Sequence, residues 1–166
     1  SSDVCSSDLS VYPNSTVDAK RLISGIQSLV KPNASKRFLD VGCGFGFFSK
    51  EAKEAGFDVE AIEIASSERQ IAEKMTGLTP VAVSFEDYRC EPNSLGVVLM
   101  SQILEHAFDV NLWIQKAYQL LDKDGLLAIA LPNYDSIFRK LLKEKDPYIC
   151  PPAHLNFFNP LSLSTL

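Results

Sequence analysis

The sequence predicts an α/β protein with an open, parallel β-sheet and helices on both of its faces. Short apolar runs alternate along the chain with amphipathic stretches of helical spacing, a pattern typical of strands joined by helical crossovers. A cluster of glycines follows the first apolar run, at a place where such sheets bind ligands. The length of 166 residues fits one domain.

Five strands and five helices are predicted. We expect strands over residues 37–41, 58–64, 80–85, 97–100 and 126–131. We expect helices over residues 16–30, 47–55, 67–75, 109–121 and 136–145. Ser67 and Gln70 have the spacing of a capping box at the start of the third helix, and Asp109 is the expected N-cap of the fourth. Leu95-Gly96 is expected to weaken the start of the fourth strand.

The composition is that of a packed globular protein, because 46% of the residues are hydrophobic and 22% are charged. No apolar run reaches the roughly 20 residues that a membrane-spanning helix needs, so no membrane partner is predicted. The formal charge is −5 and no cluster of lysine or arginine stands out, which argues against a nucleic-acid partner. The cysteines and histidines show no metal-ligand spacing, so we expect no bound metal, and reduced thiols in a cytoplasmic protein.

The two ends of the chain differ from the rest. Residues 1–9 lack helical and strand periodicity and resemble the translation of a sequencing-adapter oligonucleotide, with a natural polar tail as the alternative. We therefore expect an artefactual or disordered tail over residues 1–9 and one domain over residues 10–166. The chain stops at Leu166 without a polar tail, so we expect the domain to be incomplete at its C-terminus.

The glycine cluster contains Gly42, Gly44 and Gly46 and joins the first strand to the second helix. Glycines at such a junction let the backbone turn tightly and approach a ligand. The dinucleotide fingerprint G-x-G-x-x-G requires a glycine at position 47, but Phe47 stands there. Asp40, two residues before the first glycine, favours a cationic ligand over a pyrophosphate.

Glu63 closes the second predicted strand, where a carboxylate can accept hydrogen bonds from both hydroxyls of a ribose. At this point the chain resembles the class I S-adenosylmethionine-dependent methyltransferases, in the bacterial small-molecule branch that carries Leu-Glu-His after the fourth strand. The matching segments are D-V-G-C-G-F-G (40–46), A-I-E-I (61–64), I-L-E-H (103–106) and L-L-D-K-D-G-L-L-A-I-A-L-P-N (120–133). The resemblance implies a Rossmann-like fold with strand order 3-2-1-4-5, here without the family's C-terminal strand pair.

The resemblance also implies S-adenosylmethionine as the cofactor and a set of residues that would hold it. The residue before the glycines and the glycine loop would contact the methionine part, and Glu63 would bind the ribose. The residues after the second and third strands would border the adenine, and those after the fourth would line the sulfonium side. The implied cofactor contacts are Asp40, Gly42, Cys43, Gly44, Gly46, Glu63, Ile64, Phe85, Glu86, Ser101 and Gln102.

The expected reaction is transfer of a methyl group to an O, N or C nucleophile of a small-molecule acceptor. A hydroxyl or amine acceptor needs a base, and an imidazole with a pKa near neutrality suits this task. His154 is the first candidate for that base and His106 is the second. The alternatives are a solvated loop residue for His154 and a loop cap for Glu105 and His106; Glu105 with His106 could also contribute to a Mg²⁺ site.

Two other functions stay open at this point. A catalytically silent subunit that only binds the cofactor would keep Asp40, the glycines and Glu63 but would need no base. An NAD-dependent oxidoreductase is the less favoured alternative, because Phe47 replaces a fingerprint glycine. Binding of S-adenosylhomocysteine or of NAD would separate the methyltransferase from the oxidoreductase.

Overall fold

The computed structural model describes residues 15–137, 141 and 154–166, and in them four parallel strands form one sheet. The strands are β1 (Arg37–Val41), β2 (Asp58–Ile62), β3 (Leu95–Ser101) and β4 (Leu121–Ala130). Their order is β2-β1-β3-β4, and the register pairs Phe38 of β1 with Val59 of β2 and with Val97 of β3. The helices are α1 (Ser15–Leu29), α2 (Phe47–Glu54), α3 (Ser66–Thr76), α4 (Val110–Leu120) and α5 (Pro160–Leu163), with a 3-10 turn at Leu104–His106.

Helices cover both faces of the sheet, as the sequence predicts. On one face, Phe38 of β1 and Leu99 of β3 belong to the same buried cluster as Ile26 of α1. On the other face, Met100 of β3 belongs to a cluster with Trp113 of α4. Side chains alternate between the two faces of a strand, so β3 is apolar on both sides and reads as a continuous hydrophobic run.

The observed order agrees with the predicted order 3-2-1-4-5 for four of its five strands. The predicted third strand, over 80–85, is not formed: Val81 alone makes an isolated bridge to Ile62, beside β2. Pro80 has no amide hydrogen to donate to a ladder. The chain then turns at Ser84, whose carbonyl accepts from the amide of Tyr88 at 2.9 Å, so pairing cannot continue along β2.

β3 begins at Leu95, but its start is irregular, as the sequence predicts: the register with β4 shifts between Leu95 and Val97, and the pairing with β1 begins only at Val97. Gly96 is needed there: a Cβ at this position would lie 1.7 Å from the carbonyl oxygen of Ser35. The predicted cap of α4 is confirmed, since the Asp109 side chain accepts from the amide of Leu112 at 3.1 Å.

The predicted capping box of Ser67 and Gln70 is not formed at the start of α3. The N-cap residue is Ala65, which has no side-chain acceptor. Its own amide donates instead to Glu63 Oε1 at 2.8 Å. Glu63, which directly follows β2, therefore accepts from the N-cap amide, the role that the predicted capping box assigned to Gln70.

Some predictions fall on residues that the structure does not describe. The tail over 1–9 lies outside the described residues, and so does most of the predicted helix over 136–145. Among the helices that are described, none is long and apolar enough to cross a membrane.

Candidate active site

A cleft of about 980 Å³ opens at the edge of the sheet where the parallel strands end. Gly42, Glu63 and Gln102 directly follow β1, β2 and β3, so the topology brings together residues that are far apart in the sequence. The predicted site residues that line the cleft are Gly42, Cys43, Gly44, Glu63, Ser101, Gln102 and His106. Seven of the thirteen predicted site residues therefore line one cleft at the expected edge of the sheet, and their roles stay predictions.

Gly42 and Gly44 of the glycine loop both line the cleft, but only Gly44 has open space beside it. Gly42, Gly44 and Gly46 all have positive φ, a region that other residues adopt at a cost. A Cβ on Gly46 would lie 2.8 Å from Cγ2 of Thr76, so this glycine allows α2 to pack against α3 and does not line the cleft. A Cβ on Gly44 would meet nothing within 4 Å. The space beside Gly44 is therefore available to a ligand.

The carboxylate of Glu63 connects the end of β2 to the glycine loop. Its Oε2 accepts from the amide of Gly44 at 3.0 Å, and its Oε1 accepts from the amide of Ala65 at 2.8 Å. An ionised carboxylate has about four acceptor positions, so two remain for donors from a ligand. Arg69 secures the same segment by donating to the carbonyl oxygen of Glu63 at 2.9 Å.

Asp40 lies beneath the loop and does not line the cleft. It is 1% exposed, and its Oδ2 accepts from Oγ of Ser49, on α2, at 2.6 Å. Burial raises the pKa of this carboxyl from 3.8 to about 6; the Ser49 bond opposes the shift and the charge of Glu63 adds to it. Burial also raises the pKa of the Cys43 thiol, which makes Cys43 a packing residue in the cleft wall and not a nucleophile.

The three residues predicted to border an adenine have different surroundings. Ile64 follows Glu63 and is 71% exposed, so its side chain is accessible at this edge. Phe85 is 2% exposed and packs against Trp113 with 5.2 Å between ring centroids. Glu86 Oε1 accepts from Nε1 of the same tryptophan at 2.8 Å. Neither Phe85 nor Glu86 lines the cleft, and their contact with an adenine stays a prediction.

Gln102 holds an unusual backbone conformation where β3 enters the cleft. Its φ is 54°, in the left-handed region, which costs energy for a residue with a side chain. Its amide donates to the carbonyl of Ala130 at 2.8 Å, and Nε2 donates to the same oxygen at 3.3 Å. Two bonds to the end of β4 therefore hold the residue in this conformation beside Ser101.

His106 and His154 lie together at the rim of the cleft. Their ring centroids are 4.8 Å apart and the rings are nearly perpendicular. The carbonyl oxygen of Glu105 accepts from the amides of Leu155 and Asn156 at 2.9 and 3.0 Å, which places His154 next to the 3-10 turn. Glu105 itself is buried, and burial raises the pKa of its carboxyl. Both histidines singled out from the sequence therefore belong to one cluster, although only His106 lines the cleft.

Helix α1 also contributes to the cleft, which the sequence did not predict. Ser15, Asp18, Arg21 and Leu22 line the cleft. In the sequence they belong to an ordinary amphipathic helix, whose charged residues are typical of a solvated face. The one available signal for a role in the cleft is the place of α1 in the sequence, because α1 directly precedes β1 and β1 leads into the glycine loop.

Comparisons with known proteins assign a family. A family model described as a methyltransferase domain matches residues 16–166. The chain is 26% identical over 112 residues to a ubiquinone biosynthesis O-methyltransferase of Pelagibacter ubique, covering 65% of this chain and 47% of that protein. It is 34% identical over 84 residues to the protein of the same name from Ralstonia nicotianae, covering 47% of this chain and 35% of that protein. The chain thus spans less than half the length of these relatives.

Solved structures share the fold. A SAM-dependent methyltransferase from Archaeoglobus fulgidus superposes with a TM-score of 0.75 at 21% identity, covering 95% of this chain and 68% of that one. The plantazolicin methyltransferase BpumL, solved with SAH, superposes with a TM-score of 0.74 at 17% identity, covering 96% of this chain and 65% of that one. The predicted Rossmann-like α/β fold is confirmed.

Proposed function

Since the chain belongs to the methyltransferase domain family, we propose that it binds S-adenosylmethionine in the cleft and methylates a hydroxyl group of a small-molecule acceptor. One observation carries the proposal: a strand-end carboxylate, Glu63, is joined to the glycine loop at Gly44, beside space that a side chain would otherwise fill. The hydroxyl is favoured over nitrogen or carbon because the curated relatives are named O-methyltransferases.

We also propose that the protein acts in the cytoplasm, because Cys43 and Cys90 are free thiols.

The chemistry of the cleft fits this cofactor. Glu63 keeps two acceptor positions for the hydroxyls of a ribose. The open space at Gly44 admits the ligand against bare backbone. Asp40, buried below the loop, adds negative charge that attracts a cationic donor, and exposed Ile64 offers an apolar contact for a base.

The chain has three tasks in the proposed reaction. The cofactor, when bound, supplies a methyl group that is already activated by its positive sulfur. The cleft must then align donor and acceptor and exclude water, which accounts for large rate gains without covalent catalysis. The proton of the acceptor hydroxyl must also be removed. We assign this task to the pair of His154 and His106, because imidazole titrates near neutrality and His106 lines the cleft.

Calorimetry tests the cofactor half of the proposal. We expect the protein to bind S-adenosylhomocysteine and not NAD. Glu63→Ala should weaken binding about 10–100-fold, because the loss of charge-assisted hydrogen bonds costs about 1–3 kcal/mol. Glu60→Ala is the matched control, since Glu60 lies on β2, the strand that Glu63 directly follows, but not in the cleft lining. Equal affinity in wild type and Glu63→Ala would remove Glu63 from the site.

Transfer of a tritiated methyl group tests the catalytic half. The panel of acceptors contains catechols, phenols, aliphatic alcohols and amines of similar size. We expect label in at least one hydroxylated acceptor and none when both histidines are replaced by alanine. Cofactor binding without transfer to any member of the panel would contradict the proposal and favour a silent cofactor-binding subunit.

A further inference from the structure

A turn over residues 84–88 begins near the edge of the sheet, soon after the chain has passed Glu63. Val81 pairs with the end of β2, and its carbonyl accepts from the amide of Glu63 at 3.1 Å. The chain then closes into the turn, where the carbonyl of Ser84 accepts from the amide of Tyr88 at 2.9 Å. The turn therefore continues directly from the segment that is bonded to a residue of the cleft lining.

Lys116 of α4 binds this turn through three backbone carbonyls. Its Nζ donates to the carbonyl oxygens of Phe85, Glu86 and Tyr88 at 2.6, 2.8 and 2.7 Å. An ammonium has three hydrogens and no acceptor, so these carbonyls use its whole donor capacity. Nζ also lies 5.2 Å from the centroid of the Phe85 ring, within the range of a cation–π contact. One side chain therefore fixes the direction of three carbonyls.

Trp113 lies one helical turn earlier on α4 and contacts the side chains of the same segment. Its Nε1 donates to Glu86 Oε1 at 2.8 Å, and its ring meets the ring of Phe85 edge-on, with 5.2 Å between the centroids. Residues three apart share a helix face, so Trp113 and Lys116 act on the turn from the same side. Together they fix both the backbone and the side chains of the turn.

The charge of Lys116 is a costly way to pack a helix against a turn. Burial lowers the pKa of its ammonium, so keeping the charge there costs free energy that an apolar side chain would avoid. What the ammonium supplies in return is geometry, because an apolar side chain could not orient three carbonyls at once.

We propose that Lys116 and Trp113 are positioning residues that set the turn over residues 84–88 for the adenine end of the cofactor. The inference rests on the proposed function, because it takes this turn to border the adenine. An ionised carboxylate has about four acceptor positions, so Glu86 can hold Trp113 and still accept from the amino group of an adenine. A turn that is fixed before binding loses less freedom when the ligand arrives, which raises both affinity and selectivity for the base.

Fluorescence of the whole chain tests the place of the adenine. Trp113 is the single tryptophan of the sequence, so its emission reports on this turn alone. We expect S-adenosylhomocysteine to change the emission of the wild type saturably, with the dissociation constant that calorimetry gives.

Selectivity for the base separates positioning from stability. S-inosylhomocysteine carries an oxygen in place of the purine amino group, so the ratio of its affinity to that of S-adenosylhomocysteine measures recognition of that group. Lys116→Met keeps an apolar chain of similar length, and it should weaken binding of S-adenosylhomocysteine about tenfold and bring the ratio close to one. A loss of stability alone lowers both affinities equally. Lys53→Met is the matched control, because Lys53 also donates to a backbone carbonyl, that of Thr76 at 3.1 Å, outside the turn.

Trp113→Phe is a second variant, which keeps an aromatic ring against Phe85 and removes the donor to Glu86. It should also bring the ratio closer to one, and circular dichroism checks that each variant is folded. If the wild type binds S-adenosylhomocysteine without a change in Trp113 emission, or if the ratio is unchanged in the folded variants, this inference is overturned and the proposed function stands. If the wild type does not bind S-adenosylhomocysteine, the proposed function and this inference are both overturned.

Discussion

Gly44 and Gly56 have similar backbone conformations and different surroundings. Both have positive φ, and a Cβ would meet nothing within 4 Å at either position. Only Gly44 lines the cleft. The two glycines therefore form a matched pair in which backbone strain and ligand contact can be measured separately.

Gly44→Val should abolish binding of S-adenosylhomocysteine, because the β-branched side chain would occupy the space beside the loop. Gly56→Val should carry a comparable strain of about 1–2 kcal/mol and leave the affinity unchanged. Calorimetry and denaturant unfolding measure the two effects. Retained binding in Gly44→Val, or an equal loss of binding in both variants, would show that the ligand lies elsewhere.

Asp40 should make the wild-type protein less stable as the pH rises. Burial raises its pKa from 3.8 to about 6, so between these values the folded state binds a proton that the unfolded state has lost. The contribution of Asp40 to the free energy of unfolding therefore falls between about pH 4 and pH 6 and is constant above. Each pKa unit is worth about 1.4 kcal/mol, so the full loss is on the order of 3 kcal/mol.

The comparison of wild type with Asp40→Asn isolates this contribution. Asparagine is uncharged and can still accept a hydrogen bond from Ser49. The difference in unfolding free energy should shift in favour of the variant from pH 4 to pH 6 and then stay level. Asp58→Asn, at an exposed position on β2, is the control variant. A difference that does not change with pH would mean that Asp40 is solvated.

At the scale of the elements, β4 is the outermost strand of the sheet among the described residues. Its residues from Asp124 to Ala130 are all half-buried, whereas β3 is buried along six consecutive residues. We expect the β4 amides that point away from β3 to exchange with deuterium about tenfold faster than the amides of β3. Residue-resolved exchange by NMR measures this. Equal protection in both strands would show that another segment pairs with the outer edge of β4.

Elements with a buried apolar run were predictable, and those that depend on a tertiary partner were not. β1 matches its prediction residue for residue because RFLDV enters a glycine cluster. The 80–85 segment also has an apolar pattern, but a strand needs a ladder, and Pro80 and the turn at Ser84 prevent one. Likewise, Ser67 and Gln70 have capping-box spacing, yet α3 starts at Ser66, one residue earlier. The amide of the N-cap residue Ala65 then donates to the side chain of Glu63.

At the scale of the whole molecule, the position of the site was predictable and its full membership was not. Parallel strands place the residues that follow them at one edge, so Gly42, Glu63 and Gln102 could be grouped from the sequence. Whether a predicted residue reaches the cleft depends on side-chain packing. Phe85 does not reach it, because it is buried against Trp113. The meeting of His106 with His154 depends on hydrogen bonds between distant segments, which no local pattern encodes.

The central position of β1 has a consequence for synthesis on the ribosome. β2 reaches β1 after one helix, but β3 is made only after α3 and the segment that follows it, which takes seconds at typical translation rates. During that interval one apolar edge of β1 has no neighbour and can pair with other nascent chains. We therefore expect slow elongation through residues 77–94 to raise the yield of aggregates, even though β3 pairs with β1 from Phe38 to Val41 in the finished sheet.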